Sequence, residues 1–222
     1  MLGVTGLSWA DGNTVNKIYD PYVEPLETEI EFRHVHETLG NGSSTTQYQL
    51  GVGHAIAEQW FVEVYVSGAD TAGAGFQVDS YELELKTQLS EQGEYTLDYG
   101  LILELEKERD GKWEAATVAL LSKELGRWSA TANLAAIYEW GRNVNSELET
   151  SAALQMRYRY KQMFEPAIEY FKSETTNAIG PVVSGLVRLG TAKKLRWELG
   201  MVFGIDGLSA DKTLKASLEY EF

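Results

Sequence analysis

The feature of this sequence that most restricts its fold is a strict alternation of apolar and polar residues, repeated from residue 26 to residue 222. The last segment, Leu214–Phe222, is typical: every second residue is apolar, and the chain ends on an aromatic residue. An alternation of period two predicts a β-strand with one apolar face. Twelve such segments follow one another with little but turns between them. Because open twisted sheets rarely exceed about 10 strands, the pattern predicts a sheet that closes on itself.

Composition excludes several classes of protein. The chain carries 33 acidic against 19 basic residues and a net charge of −14, which argues against a nucleic-acid partner because phosphate binding needs Lys and Arg. It contains no cysteine, so a disulfide framework and thiolate metal sites are excluded. With 44% hydrophobic residues it is not a disordered acidic tail. No stretch of 18 apolar residues predicts a transmembrane helix.

The periodicity divides the chain into two parts. Residues 26–222 are predicted to form the barrel. Residues 1–25 show no sustained period and are predicted to form an irregular arm, rich in turn-forming residues: Gly3, Gly6, Gly12, Pro21 and Pro25. Such an arm could enter the barrel as a plug or remain outside as a contact segment, and the sequence does not choose between them.

The connections between the predicted strands indicate how the barrel is wound. Links from odd to even strands are longer and rich in Gly, Asn, Ser and Thr, such as residues 39–45, whereas links from even to odd strands are tight, such as residues 57–59. Two classes of connection in alternation predict an up-and-down antiparallel barrel with two distinct ends.

Alternation alone does not say whether the apolar face points inward, as in a soluble barrel, or outward, toward lipid. Strands of about 10 to 13 residues match the ~9–11 that a tilted strand needs to cross hydrocarbon. Twelve strands also enclose a lumen too wide for one apolar face to fill, since packed barrels stay near about eight strands. Aromatic residues cluster at strand ends, as expected at bilayer interfaces. The predicted aromatic girdles comprise Trp60, Tyr95, Trp128, Tyr160, Trp197 and Phe222 at one end, and Trp113 and Trp140 at the other.

Over residues 26–222 this pattern resembles the Gram-negative outer-membrane β-barrels of the porin or small-channel type. The sharpest shared motif is the ending Leu218, Tyr220 and Phe222, which is similar to the signal that this class uses for barrel assembly. The resemblance implies a monomer in the cell outer membrane, with both termini and the short turns in the periplasm and the longer loops outside. It also implies contact with membrane lipid and lipopolysaccharide, and recognition of the C-terminal strand by the barrel-assembly machinery.

If the apolar face meets lipid, the polar face lines the lumen, where acids outnumber bases by about ten. This excess predicts a channel for passive diffusion of a small solute, with a preference for cations. Arg157 and Arg159 of strand eight are expected to face the acids of strands four and five, or a neighbouring strand, and to create a transverse field. The alternative is a structural or partner-dependent barrel with a closed, salt-bridged interior. The predicted lumen or selectivity residues are Glu29, Glu31, Arg33, Glu82, Glu84, Lys86, Asp98, Glu104, Arg157, Arg159 and Arg196.

Enzymatic barrels are the third alternative, and a lipid-modifying enzyme or protease would need a nucleophile beside a base. No Ser or Asp stands at a suitable spacing from the three histidines, so no catalytic residue and no cofactor is predicted. His34 and His36 share one face of the first strand, and a hairpin could bring His54 near them to bind a transition metal. Isolated interface histidines are the favoured interpretation, so no metal site is predicted.

Overall fold

A computed structural model describes residues 15–71, 75–142, 144–191 and 193–222. The predicted all-β fold is confirmed: twelve antiparallel strands form one closed barrel, in which each strand pairs with its neighbours in sequence and β12 pairs with β1. No helix within these ranges is long and apolar enough to cross a bilayer. The strands are β1 (Thr28–Thr38), β2 (Ser44–Ala57), β3 (Trp60–Thr71), β4 (Gly75–Gln88), β5 (Asp98–Glu108), β6 (Lys112–Leu125), β7 (Trp128–Gly141), β8 (Glu147–Tyr158), β9 (Glu165–Lys172), β10 (Asn177–Arg188), β11 (Lys194–Gly204) and β12 (Lys212–Glu221).

The barrel closes along the pairing of β1 with β12, whose register runs from Glu29 opposite Glu221 to Thr38 opposite Lys212. Closure leaves no unpaired sheet edge, which an open sheet of this size would expose to other chains. We call the end at which β1 begins and β12 ends the near end, and the opposite end the far end.

The two faces of the barrel wall differ as the membrane-barrel interpretation predicts. Large apolar side chains point outward and stay exposed at mid-strand, as in Leu103 (43% exposed) and Leu134 (47%). Charged side chains point inward and are buried, as in Glu31 and Glu84, each 1% exposed. A soluble barrel would bury the first set and hydrate the second, so the closed sheet has the polarity of a membrane barrel.

The predicted difference in loop length between the two ends is wrong. Near-end connections range from two residues (58–59) to nine (89–97), and far-end connections range from three residues (109–111) to seven (205–211). Several strands extend beyond the apolar alternation: β4, for example, begins at Gly75, whereas the alternation is visible only from Tyr81. The hydrogen bonds between strands continue into polar segments whose side chains show no alternation. These segments, which the sequence pattern assigns to loops, are therefore part of the strands.

Glycine on the inward face of β2 shapes the interior. A Cβ at Gly51 would lie 2.6 Å from Oε1 of Glu63 and would overlap the Tyr65 ring. Only a residue without a side chain allows these two β3 groups to lie across β2, where both are buried. This gap in the lumen-facing side chains brings β3 close to the inward residues of β1.

Residues 15–25 of the arm lie inside the barrel. Val15 packs against Phe171, Ala178 and Val202 on β9, β10 and β11. At the near end, Val23 packs against inward-facing apolar residues of β2 and β3. The described part of the arm therefore runs through the lumen to the near end and then turns into β1, while residues 1–14 lie outside the described part of the chain.

Candidate functional site

Lys17 holds the arm to the barrel wall where β1 meets β12. Its Nζ lies 3.1 Å from Oε2 of Glu31 and 2.6 Å from Oε2 of Glu219. Burial alone would lower the pKa of Lys17, but the two carboxylates outweigh it and raise the pKa well above its usual value. Lys17 is therefore a fixed positive charge in the middle of the lumen.

Tyr19 and Tyr22 attach the arm to the opposite wall. The backbone N–H of Tyr19 donates to Oδ1 of Asn133 on β7 at 2.8 Å, and Nδ2 of Asn133 donates to the Tyr19 carbonyl at 2.8 Å. The Tyr22 hydroxyl donates to Oδ2 of Asp98 on β5 at 2.7 Å. Burial, followed by this bond to a carboxylate, raises the pKa of Tyr22 above its usual value. The arm thus reaches across the lumen from the β1–β12 seam to the opposite side of the barrel wall.

The last residues of the arm form ion pairs at the near end. Glu24 pairs with Lys194 and Arg196, the first and third residues of β11. Beside them, burial and a hydrogen bond with Glu221 raise the pKa of Glu27 to about 8. Residues 17–24 of the arm and the charged side chains that bind them therefore occupy the near half of the lumen, whereas Val15 reaches the far-end residues of β9, β10 and β11.

Arg33 marks the upper limit of this filled region, toward the far end. Its guanidinium lies between the rings of Tyr19 and Tyr65, with its carbon 5.3 Å and 4.7 Å from their centroids. Its Nη2 donates to Oε2 of Glu31 at 2.7 Å, and its Nη1 donates to Oε1 of Gln49 at 3.1 Å. An arginine held in this way keeps a defined position at the bottom of the space above it.

Above the arm, toward the far end, the barrel encloses a cavity of about 480 Å³, which we call the vestibule. Asn16, Lys17 and Tyr19 form its floor, and residues of β1 to β8 form its wall. Three cations, Lys17, Arg33 and Arg109, face it. More carboxylates than cations line it: Asp79, Glu82, Glu104, Glu106, Glu108, Asp110 and Glu114.

Strand register places these acids directly opposite one another. Glu84 of β4 lies between Glu63 of β3 and Glu104 of β5. Glu106 of β5 likewise lies between Glu82 of β4 and Glu114 of β6. Like charges directly across a ladder are destabilising, so this acidic wall is repulsive except where a cation reaches it, as Lys112 reaches Glu114 at 3.9 Å. Chemically, it can concentrate and bind positively charged groups.

Of the predicted lumen residues, Arg33, Glu82 and Glu104 line the vestibule, and Glu84 is buried in the wall between Glu82 and Glu104. Others face the interior but lie lower, where they bind the arm or sit beneath it: Glu29, Glu31, Lys86, Asp98 and Arg196.

Of the two predicted positions for Arg157 and Arg159, the one facing the acids of β4 and β5 is wrong. Arg157 lies at the near end of β8 and pairs with Glu165 of β9 at 3.5 Å. Arg159 follows the end of β8 and pairs with Glu124 at 2.6 Å in the near-end turns. Both arginines therefore lie at the near-end rim, and the cations that face the vestibule are Arg33, Arg109 and, from the arm, Lys17. β8 runs antiparallel to β5, so the last residues of β8 lie at the near end, whereas the last residues of β5 lie at the far end. The position of a residue along the sequence does not by itself give this depth in the barrel.

The hypothetical three-histidine cluster does not form. His54 pairs with Thr28, whereas His34 pairs with Tyr48, six residues further along β1, or about 20 Å. His34 contacts the Tyr48 ring at 5.3 Å, and Nδ1 of His36 lies 2.8 Å from the Thr46 hydroxyl.

The predicted girdle residues lie at both ends of the barrel. Trp60, Tyr95, Trp128, Tyr160 and Phe222 are exposed at the near end, and Trp197 is the fourth residue of β11 from that end. At the far end the rings of Trp113 and Trp140 stack with centroids 6.3 Å apart. Leu218, Tyr220 and Phe222 of the assembly motif share the outward face of β12. Sequence reasoning missed Lys17 and Asn133, because an aperiodic arm gives no signal of what it touches.

Comparison with known proteins supports the fold. No protein-family model matches the chain, and no curated protein matches it. Among solved structures, an outer-membrane channel from Pseudomonas putida F1 is similar with a TM-score of 0.61 and 14% identity, over 93% of this chain and 100% of that one. The KdgM porin, in complex with disordered oligogalacturonate, gives 0.58 and 13%, over 87% and 99%. The translocator domain of the autotransporter NalP from Neisseria meningitidis gives 0.57 and 9%, over 91% and 90%. The chain therefore has the fold of an outer-membrane β-barrel.

Proposed function

We propose that this protein is an outer-membrane channel through which small solutes diffuse passively, and that its vestibule favours cations. The observation that carries the proposal is the 480 Å³ vestibule with its excess of carboxylates. A low-dielectric wall of one charge sign focuses the potential and raises the local concentration of counter-ions. The similar porin and channel structures support the general class, although at their low identity they bear on fold rather than solute.

The proposal includes an orientation and a set of contacts. The far end, with the vestibule, faces the outside, and the near end, with the start of β1 and the end of β12, faces the periplasm. The outward apolar surface contacts lipid and, in the outer leaflet, lipopolysaccharide. The barrel functions as a monomer, and the barrel-assembly machinery recognises the outward face of β12.

A second function is favoured by one observation, the occupation of the near half of the lumen by the arm. The contacts of Lys17, Tyr19 and Tyr22 reach β1, β12, β7 and β5, so the described arm crosses the lumen. A barrel kept closed in this way would be structural or would open only with a partner. Removing residues 1–25 separates the two functions: a channel conducts with the arm in place, whereas a closed barrel conducts only after its removal.

The test is conductance and reversal potential in a planar bilayer with a KCl gradient. The parent protein is expected to conduct with a preference for K⁺. The combined substitution Glu82→Gln, Glu84→Gln and Glu104→Gln should reduce that preference, and should do so more at low salt than at 1 M, where the Debye length falls to about 3 Å.

A matched control removes the same charge from exposed acids outside the vestibule: Glu58→Gln, Glu147→Gln and Glu174→Gln. It should leave the reversal potential unchanged. Absence of conductance in the parent would refute the channel. An equal shift of reversal potential in both triple variants would refute the role of the vestibule in selectivity.

A further inference from the structure

Three carboxylates of the vestibule wall form a compact group of oxygen ligands. Glu82 and Glu84 lie on β4 and Glu104 lies on β5. One oxygen from each carboxylate lies within 4.8 Å of the other two. Two ligand bonds of about 2.4 Å, the length typical of Ca²⁺, span at most about 4.8 Å, so each pair of these oxygens is close enough to share one ion.

The buried member of this group, Glu84, keeps one oxygen without a hydrogen-bond partner. Glu84 is 1% exposed, and this oxygen is its Oε2. Among the described residues, no ion pair within 4 Å reaches any of the three carboxylates. Leaving a carboxylate oxygen buried and unsatisfied is costly, and a bound cation removes that cost.

A neighbouring acidic group shows the contrast. Glu29, Glu31 and Glu63 also bring their oxygens within 4.8 Å of one another. There, Oε1 of Glu63 also lacks a hydrogen-bond partner, but Lys17 and Arg33 both bind Glu31, so the protein supplies cations to this group. Arg33 therefore forms its ion pair with the Glu29, Glu31 and Glu63 group. Its link to the Glu82 group is indirect, through Gln49, whose Nε2 donates to Oε2 of Glu82 at 3.0 Å.

An ion can reach the site from the vestibule. Glu82 and Glu104 both line the cavity, and Glu84 lies buried two residues from Glu82 toward the near end, directly opposite Glu104. Three acidic oxygen donors suit a hard cation. Because the ligands come from two adjacent strands without octahedral symmetry, Ca²⁺, which accepts irregular geometry and completes its shell with water, suits the site better than Mg²⁺.

We propose that Glu82, Glu84 and Glu104 form a Ca²⁺-binding site in the vestibule wall. The proposal deepens the proposed function, since it rests on the acidic vestibule and names an ion that it binds. The bound ion would join β4 to β5 and neutralise the Glu84–Glu104 contact, so that the channel would present a less acidic wall when loaded.

The test is isothermal titration of CaCl₂ into the purified full-length protein in detergent. The parent should bind one Ca²⁺, and Glu84→Gln should weaken the affinity at least about tenfold, as loss of a metal-site group does. Glu114→Gln is the matched control, because it removes one charge from the same vestibule wall outside the group. It should change the affinity less than about twofold.

Glu104→Gln provides a second variant with the same expected loss, and circular dichroism checks that each variant is folded. Absence of saturable binding in the parent would overturn the proposal, as would equal weakening by Glu84→Gln and Glu114→Gln, which would indicate a diffuse ion atmosphere. Because calorimetry needs no open pore, a protein that binds Ca²⁺ but does not conduct would refute the channel and leave the site in place.

Discussion

Replacing Leu134 with arginine tests whether the outward face of the barrel lies in hydrocarbon. Leu134 is at the centre of β7, six residues from Trp128 and six from Trp140, which face outward at the two ends of the strand. Six residues span about 20 Å along a strand, and a strand tilt of about 40° reduces this to about 15 Å of depth. This is half of a hydrocarbon layer of about 30 Å, so Leu134 would lie at the mid-plane.

At that depth an outward arginine should lower the free energy of unfolding by about 2–4 kcal/mol. This corresponds to a fall of about 30- to 700-fold in the ratio of folded to unfolded protein. The measurement is equilibrium urea unfolding in phospholipid vesicles, followed by tryptophan fluorescence. Leu134→Ala, measured in parallel, separates the loss of the leucine from the arrival of the charge.

Ala135→Arg is the matched control, because Ala135 is the next residue of the same strand and lines the vestibule. Its guanidinium would enter an acidic cavity, so it should cost much less than Leu134→Arg. If both arginines cost the same, or if Leu134→Arg costs less than about 1 kcal/mol, the outward face does not lie in hydrocarbon and the membrane assignment fails.

Three further predictions concern the interior. Gly51→Ala should lower the free energy of unfolding by about 1–3 kcal/mol, because its Cβ would overlap β3 side chains. Gly207→Ala, whose Cβ would have no atom within 4 Å, should be neutral. The midpoints of urea unfolding compare the two variants. Because the pKa of Glu27 is raised to about 8 when folded, its stabilising protonated form is lost as pH rises from about 4.5 to about 8. Melting temperature should therefore fall over that range more in the parent than in Glu27→Gln, and parallel curves would contradict the assignment. Lys17→Met removes both ion pairs that hold the arm to the β1–β12 seam, so chymotrypsin should cleave the arm at least about tenfold faster; Lys193→Met should not change the rate, and equal rates in both variants would contradict this anchoring.

Local pattern was sufficient to predict the barrel and the polarity of its wall. Alternation such as that of Leu103 with Glu104 depends only on the two-residue period of a strand, and it is visible in the sequence. The number of predicted strands then indicated that the sheet closes into a barrel, and the aromatic residues at the strand ends indicated two membrane–water interfaces. Glu82 and Glu104 could be placed on the lumen face for the same reason.

Three features were decided only by tertiary structure. Register, set by cross-strand hydrogen bonds, places Glu84 opposite Glu104 and keeps His54 about 20 Å from His34. The direction in which each strand runs sets the depth of its residues, so Arg157 lies among the near-end turns rather than opposite the acids of β4 and β5. The course of the arm depends on contacts between residues more than one hundred positions apart, such as Tyr19 with Asn133, and an aperiodic segment carries no local trace of its partners. The sequence of a strand determines which of its side chains face the lumen, whereas the closed barrel determines how deep each side chain lies and which residues it contacts.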